Sequence, residues 1–221
     1  SDRVLVNAPT GFGKTQLTYM YIKETMPKNV IFLSPRIILN KQLCDYKYTS
    51  LLDIKYTYII FENTEEIKNK IIKNLNNKNN VMIFSCYQSS EELQKIIKNY
   101  NIDLIVCDEA HYIQKWTSNN YYMKINNKKI DKKIDKKIFL TATPTDKMIE
   151  NIKLFANLIN KVKIYELINW DILCPINTIV KKIKNKNDKN RFGDLCFLIC
   201  ETMKKYNKRK GIIYFNNQKH V

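Results

Sequence analysis

Ala8-Pro9-Thr10-Gly11-Phe12-Gly13-Lys14-Thr15 follows the apolar run Val4-Leu5-Val6 and leads into a periodic segment. That order reads as strand, tight loop, helix. Gly11 and Gly13 allow the backbone to turn its N–H groups inward, and the helix that follows aims its positive end at the same point. Such a loop cradles phosphates: the backbone N–H groups of residues 10 to 15 surround them, the Lys14 ammonium reaches the β- and γ-phosphates, and the Thr15 hydroxyl faces Mg²⁺.

A second element is Asp108-Glu109-Ala110-His111, preceded by Ile102-Asp103-Leu104-Ile105-Val106-Cys107. The apolar run predicts a buried parallel strand, which places Asp108 at a carboxyl edge, where open α/β sheets bind ligands. Asp108 there is a candidate for the Mg²⁺ shell and Glu109 for orienting or deprotonating water. Leu140-Thr141-Ala142-Thr143-Pro144 ends a third apolar strand, Ile138-Phe139-Leu140.

These three segments, in this order, resemble the first motor domain of a superfamily 2 helicase or translocase of the DEAD/H type. The family's loop tolerates Ala at the position of Ala8, where kinases and small GTPases carry Gly. Further segments fit in order. Ser34-Pro35-Arg36, with Leu39 and Gln42, is similar to the first nucleic-acid-contacting motif, and Ser85, Tyr87, Gln88 and Ser89 are similar to a second. Gly211-Ile212-Ile213-Tyr214-Phe215-Asn216 resembles the first strand of a second motor domain.

The resemblance implies ATP and Mg²⁺ as cofactors. It implies ATP and phosphate contacts from Thr10, Gly11, Phe12, Gly13, Lys14 and Thr15, and a catalytic set of Lys14, Asp108 and Glu109. His111, Thr141 and Thr143 would couple nucleotide state to movement. Pro35, Arg36, Ser85 and Gln88 would contact nucleic acid, DNA more readily than RNA. It also implies a second RecA-like domain carrying an arginine finger, so residues 1–221 alone should bind ATP-Mg²⁺ weakly and turn it over slowly. Alternatives are a double-strand translocase that does not unwind and a non-catalytic nucleic-acid-binding module that kept the fold. For Thr141 and Thr143 the competing role is capping the next helix; for His111 it is a structural hydrogen bond.

Composition agrees with this reading. The 221 residues, 44% of them apolar, suffice for one full domain and part of another. The net charge of +17 suits a polyanion. Lys outnumbers Arg 34 to 4, however, so coding bias on solvated faces explains the charge as well as a binding stripe does. The six cysteines show no metal-ligand spacing and read as small buried hydrophobes in a reducing compartment. No stretch approaches the roughly 20 apolar residues of a membrane span, and the expectation is a soluble, intracellular protein without membrane partners.

The predicted organisation is α/β, a RecA-like parallel sheet with helices on both faces. Strands are predicted at 4–6, 30–33, 56–61, 81–85, 102–107 and 138–140. Helices are predicted at 15–25, 36–45, from Thr64 through Leu75, 89–99 and 192–206. Residues 118–137, polar and repetitive, predict a surface helix or loop. Residues 1–164 form the predicted first RecA-like domain, and residues 165–221 a linker with the start of the second. In that linker Glu166 and Trp170 are packing and capping residues.

Overall fold

The computed structural model describes residues 3–113, 134–156, 158–161, 163–173 and 188–207. Two compact units emerge, residues 1–175 and 176–221. In the first, seven parallel strands form one sheet: β1 (Arg3–Asn7), β2 (Asn29–Ser34), β3 (Thr57–Ile60), β4 (Val81–Cys86), β5 (Ile102–Cys107), β6 (Ile134–Thr141) and β7 (Leu158–Lys161). Their spatial order is β3-β4-β2-β5-β6-β1-β7.

Alternation along each strand sends side chains to opposite faces. Ile31 and Leu33 enter one core with Ile83, Ile105 and Phe139. Val30 and Phe32 enter the other with Phe84, Val106 and Leu140. A sheet covered on both faces therefore needs continuous apolar runs, as β2 and β4 show.

Helix α1 (Lys14–Thr25) covers the second face through Tyr19 and Ile22. So do α2 (Ile37–Leu43), through Leu43, and α3 (Tyr46–Thr49), through Tyr48. Helices α4 (Glu65–Asn76) and α5 (Ser90–Ile97) cover the first, with Ile71, Leu75, Leu93 and Ile97. Two short helices, α6 (Asp146–Glu150) and α7 (Ile152–Phe155), add Met148 and Phe155 there.

The helix boundaries follow local chemistry. Thr64 caps α4 through the Ile67 N–H, as predicted, and Glu65 and Glu66 sit in its positive first turn. The helix expected over 36–45 is instead two. Asp45 stops α2 from running on, because its carboxylate accepts the Lys47 N–H at 2.9 Å and starts α3. The predicted helix at 89–99 begins with a 3₁₀ turn, Tyr87–Ser89.

Residues 134–137, expected in a surface helix or loop, form the first half of β6. Their Lys-Lys pair hid a strand whose register sets Ile105 and Arg3 on either side of Lys137, and Lys137 is buried. Residues 118–133 lie outside the described residues. Helix α8 (Ile164–Asn169) belongs to the first unit rather than to a linker starting at 165, and its Leu167 is fully buried. Glu166 caps it by accepting the Lys163 N–H at 2.6 Å, whereas Trp170 is exposed at its end.

The second unit contains α9 (Asp188–Lys205), where Cys196 and Cys200 are exposed rather than buried. The strand expected at 211–216 lies outside the described residues. Among the described residues no helix is long and apolar enough to cross a membrane.

Register aligns the carboxyl ends. Asn7 pairs with Thr141, Ser34 with Cys86, and Leu33 and Phe139 flank Cys107. Among the described residues the segments 8–15, 35–36, 87–89, 108–111 and 142–144 follow these strand ends, so parallel pairing gathers them on one edge. Strand β1 lies between β6 and β7; the connection after β1 leaves to one side and that after β6 crosses to the other. That reversal is where such sheets open a ligand crevice.

Candidate nucleotide and nucleic-acid site

The loop after β1 turns at Gly11 (φ +89°) and Gly13 (φ +91°), backbone that only glycine adopts freely. Gly13 caps α1 and its carbonyl accepts the Leu17 N–H at 2.9 Å. Ala8 has no positive φ, is fully buried, and donates its N–H to the Thr141 carbonyl at 3.1 Å. A methyl group there costs nothing, which explains why Ala replaces Gly.

The apolar side chain of Leu173, beyond α8, lies close to the exposed Gly11: a Cβ at position 11 would lie 2.7 Å from Leu173 Cδ2. A flexible leucine end can move, but the left-handed φ cannot be relieved. Gly11→Ala should therefore lose about 1–2 kcal/mol of stability in urea unfolding. A double-mutant cycle with Leu173→Ala should show little coupling, because backbone strain dominates the clash.

Lys14 Nζ donates to the carbonyls of Ala8 (2.9 Å) and Pro9 (3.2 Å). Burial lowers its pKa, and Glu109 and Asp108 oppose that shift. The ammonium thus lies in the field of the second motif's carboxylates. Thr15, half-buried, begins the first turn beside it, while Thr10 is exposed and Phe12 half-buried.

Asp108 is fixed at its backbone. Its N–H donates to the Leu33 carbonyl at 2.8 Å, and its own carbonyl accepts the Tyr87 hydroxyl at 2.7 Å. Burial pushes its carboxyl up to about 6, with repulsion from Glu109 adding to the rise, against the Glu109 N–H and Lys14, which lower it. The folded state therefore holds this proton more tightly than the unfolded chain does. The stability contributed by protonation is complete below about pH 4 and is lost as the pH rises through about 6. Asp108→Asn removes that loss. Its stability relative to the parent should rise between about pH 4 and 7 in urea titrations without divalent cations, and a flat difference would contradict the buried placement.

Glu109 adopts φ +51°, a left-handed conformation that costs a non-glycine residue roughly 1–3 kcal/mol. Its N–H donates to Asp108 Oδ1 at 3.0 Å, and its carbonyl accepts the Tyr112 N–H at 2.9 Å. Its Oε2 is 3.2 Å from His111 Nδ1. That nitrogen is also 3.1 Å from Thr141 Oγ1 and 3.5 Å from Thr143 Oγ1. The Thr143 N–H donates to Thr141 Oγ1 at 3.2 Å. One imidazole nitrogen thus has a carboxylate and two hydroxyls as competing partners. The capping alternative for Thr141 and Thr143 falls away, since Thr145 caps α6.

The expected nucleic-acid residues divide. Arg36 is exposed at the start of α2 and Pro35 is half-buried. Gln88 is exposed in the turn after β4. Ser85 requires a correction: it is fully buried and its hydroxyl turns to the Cys86 carbonyl at 3.2 Å. It lies inside β4, where residues of both parities are buried because both faces of the sheet are covered. Tyr87 is buried as well, so it too is no surface contact. Sequence reasoning also passed over Asn40. Its Oδ1 accepts the Ser34 hydroxyl at 2.8 Å, and its Nδ2 lies 3.6 Å from Cys86 Sγ, which ties α2 to β4. A lone Asn on the inner face of α2 was the available signal.

The family model described as Type III restriction enzyme, res subunit, matches residues 1–146. The chain belongs to this family. It has the family's first RecA-like domain, of superfamily 2 helicase type. A curated relative is the probable helicase A859L of African swine fever virus (isolate Pig/Kenya/KEN-50/1950). It is 25% identical over 173 residues, which are 71% of this chain and 19% of that protein.

The chain thus spans about a fifth of the length of the curated relatives it matches. Among solved structures, a nuclease-deletion mutant of the Type ISP restriction-modification enzyme LlaGI, in complex with a DNA substrate mimic, aligns with a TM-score of 0.62. It is 18% identical, covering 95% of this chain and 21% of that one. The Hef helicase domain of Pyrococcus furiosus aligns at 0.53, with 22% identity over 70% of this chain and 33% of its own. At these identities the fold is what the chain shares with them.

Proposed function

We propose that this chain is the ATP-binding half of a helicase or translocase motor that couples ATP hydrolysis to movement on nucleic acid. The observation that carries the reading is the convergence of Lys14, Asp108, Glu109 and His111 on one carboxyl edge, with both glycines of the phosphate loop at positive φ. In this reading Thr10, Gly11, Phe12, Gly13, Lys14 and Thr15 hold the ATP phosphates. Lys14 exchanges its two loop carbonyls for phosphate oxygens.

The residues present fit Mg²⁺. Two adjacent carboxylates, one of them raised first by burial and then by repulsion from the other, offer oxygen ligands at this edge, and Mg²⁺ is commonly held by one or two protein oxygens plus phosphates. Thr15 and Asp108 would hold it, and there it would neutralise charge on the β- and γ-phosphates. Glu109 orients and deprotonates the attacking water. His111 Nδ1, shared between Glu109, Thr141 and Thr143, links that base to the loop after β6.

Nucleic acid, DNA in preference to RNA, crosses the edge at Pro35, Arg36 and Gln88. The arginine finger comes from a second RecA-like domain. ATP turnover by the full-length protein, with and without single-stranded DNA, tests this: stimulation is expected, and turnover indifferent to DNA and RNA would overturn it. The family's description favours a second reading, a duplex translocase of restriction type that moves without separating strands. Strand displacement on a tailed duplex distinguishes the two.

A further inference from the structure

The two peptide groups that flank the Asp108 Cα are each hydrogen-bonded by a residue that adjoins one of the two proposed nucleic-acid segments. The Leu33 carbonyl, which accepts its N–H, is followed by Ser34-Pro35-Arg36. The Tyr87 hydroxyl, which donates to its carbonyl, is followed by Gln88.

Tyr87 is buried inside the first core, so its ring cannot move without repacking Ile83, Leu93 and their neighbours. Its own carbonyl accepts the Ser90 hydroxyl at 2.6 Å, which locks the 3₁₀ turn onto α5. The neighbouring Cys86 is tied in turn to Asn40, and through it to Ser34 and the Arg36 carbonyl. A rigid tyrosine therefore joins an exposed turn to the peptide that carries the raised carboxylate. The next residue, Glu109, sits in a left-handed conformation that small shifts of this peptide would alter.

We propose that Tyr87 is a positioning residue that transmits nucleic-acid occupancy at the Gln88 turn to the Asp108-Glu109 loop, setting the geometry of the water-activating carboxylate. This rests on the motor reading above and names how its two sites communicate. Leu33 provides a parallel link through a backbone carbonyl, which substitution cannot remove; Tyr87 provides the one a single oxygen defines.

The test is Tyr87→Phe in the full-length protein, which removes the hydroxyl and keeps the ring in the core. Turnover is measured without nucleic acid and at saturating single-stranded DNA, alongside ATP KM, DNA affinity and thermal unfolding. Loss of one buried hydrogen bond to a backbone carbonyl scales to about a tenfold effect. The expected result is a roughly tenfold drop in the ratio of DNA-stimulated to basal kcat, with ATP KM and DNA Kd unchanged. Gln88→Ala serves as the contrast, weakening DNA affinity while leaving stimulation at saturating DNA intact.

Equal stimulation in Tyr87→Phe and the parent would overturn the proposal. So would a parallel fall of basal turnover, ATP affinity and stability, which marks a structural role alone. If the parent itself shows no stimulation by DNA or RNA, it is the motor reading that fails, and the two failures are separable.

Discussion

Glu109→Gln in the full-length protein should keep ATP affinity while slowing hydrolysis by on the order of a hundredfold or more. The substitution preserves shape and one hydrogen-bonding oxygen, so the left-handed turn at φ +51° and the contact to His111 can persist. What it removes is a proton acceptor. Single-turnover hydrolysis, with equilibrium binding of a non-hydrolysable ATP analogue measured in parallel, separates the two effects. Turnover near the parent's would show that another group activates water. An equal loss of nucleotide affinity would show that the carboxylate shapes the loop instead.

Lys14→Ala should remove most nucleotide affinity, roughly a hundredfold, the scale of lost charge-assisted contacts to phosphate. The loop amides remain, because Gly11 and Gly13 still turn the backbone at positive φ. The effect is amplified by position: Lys14 is partly desolvated and faces Asp108 and Glu109, so its removal leaves two carboxylates unopposed where anionic phosphates must enter. Calorimetry with the same analogue and Mg²⁺ measures the loss. Unchanged affinity would sink the phosphate-loop assignment, and with it the reading of the whole edge.

Much of this was legible in the chain itself. The strands β1, β2, β4 and β5 were readable because a sheet buried on both faces demands apolar runs, broken in β5 only by Asp103 near its start. The first half of β6 was not, because Lys136-Lys137 breaks the run, and the burial of Lys137 depends on strands far away in sequence. Asp45 restarting a helix was a local signal that apolar periodicity overrode.

The candidate site divides along the same line. Lys14, Thr15, Asp108 and Glu109 were named from residue type and spacing, since the chemistry of phosphate and Mg²⁺ restricts which side chains serve. Ser85 was misread because family likeness outweighed its place inside a strand that is buried on both faces. Tyr87 was placed among strand contacts, and only the packed structure turned its hydroxyl to the Asp108 carbonyl.

The sequence by itself determined the α/β fold class and the order of the motifs, and it named the proposed phosphate loop, because each is written in local pattern: apolar runs, paired glycines and acidic residues at strand ends. Tertiary structure alone decided that Leu173 lies against Gly11, that His111 is shared between Glu109, Thr141 and Thr143, and that Tyr87 and Leu33 hold the backbone of Asp108 from either side. Those contacts join residues as much as 162 positions apart, and no local pattern encodes them. They follow from parallel pairing, whose register brings five strand ends to one edge and leaves their side chains to find partners across it.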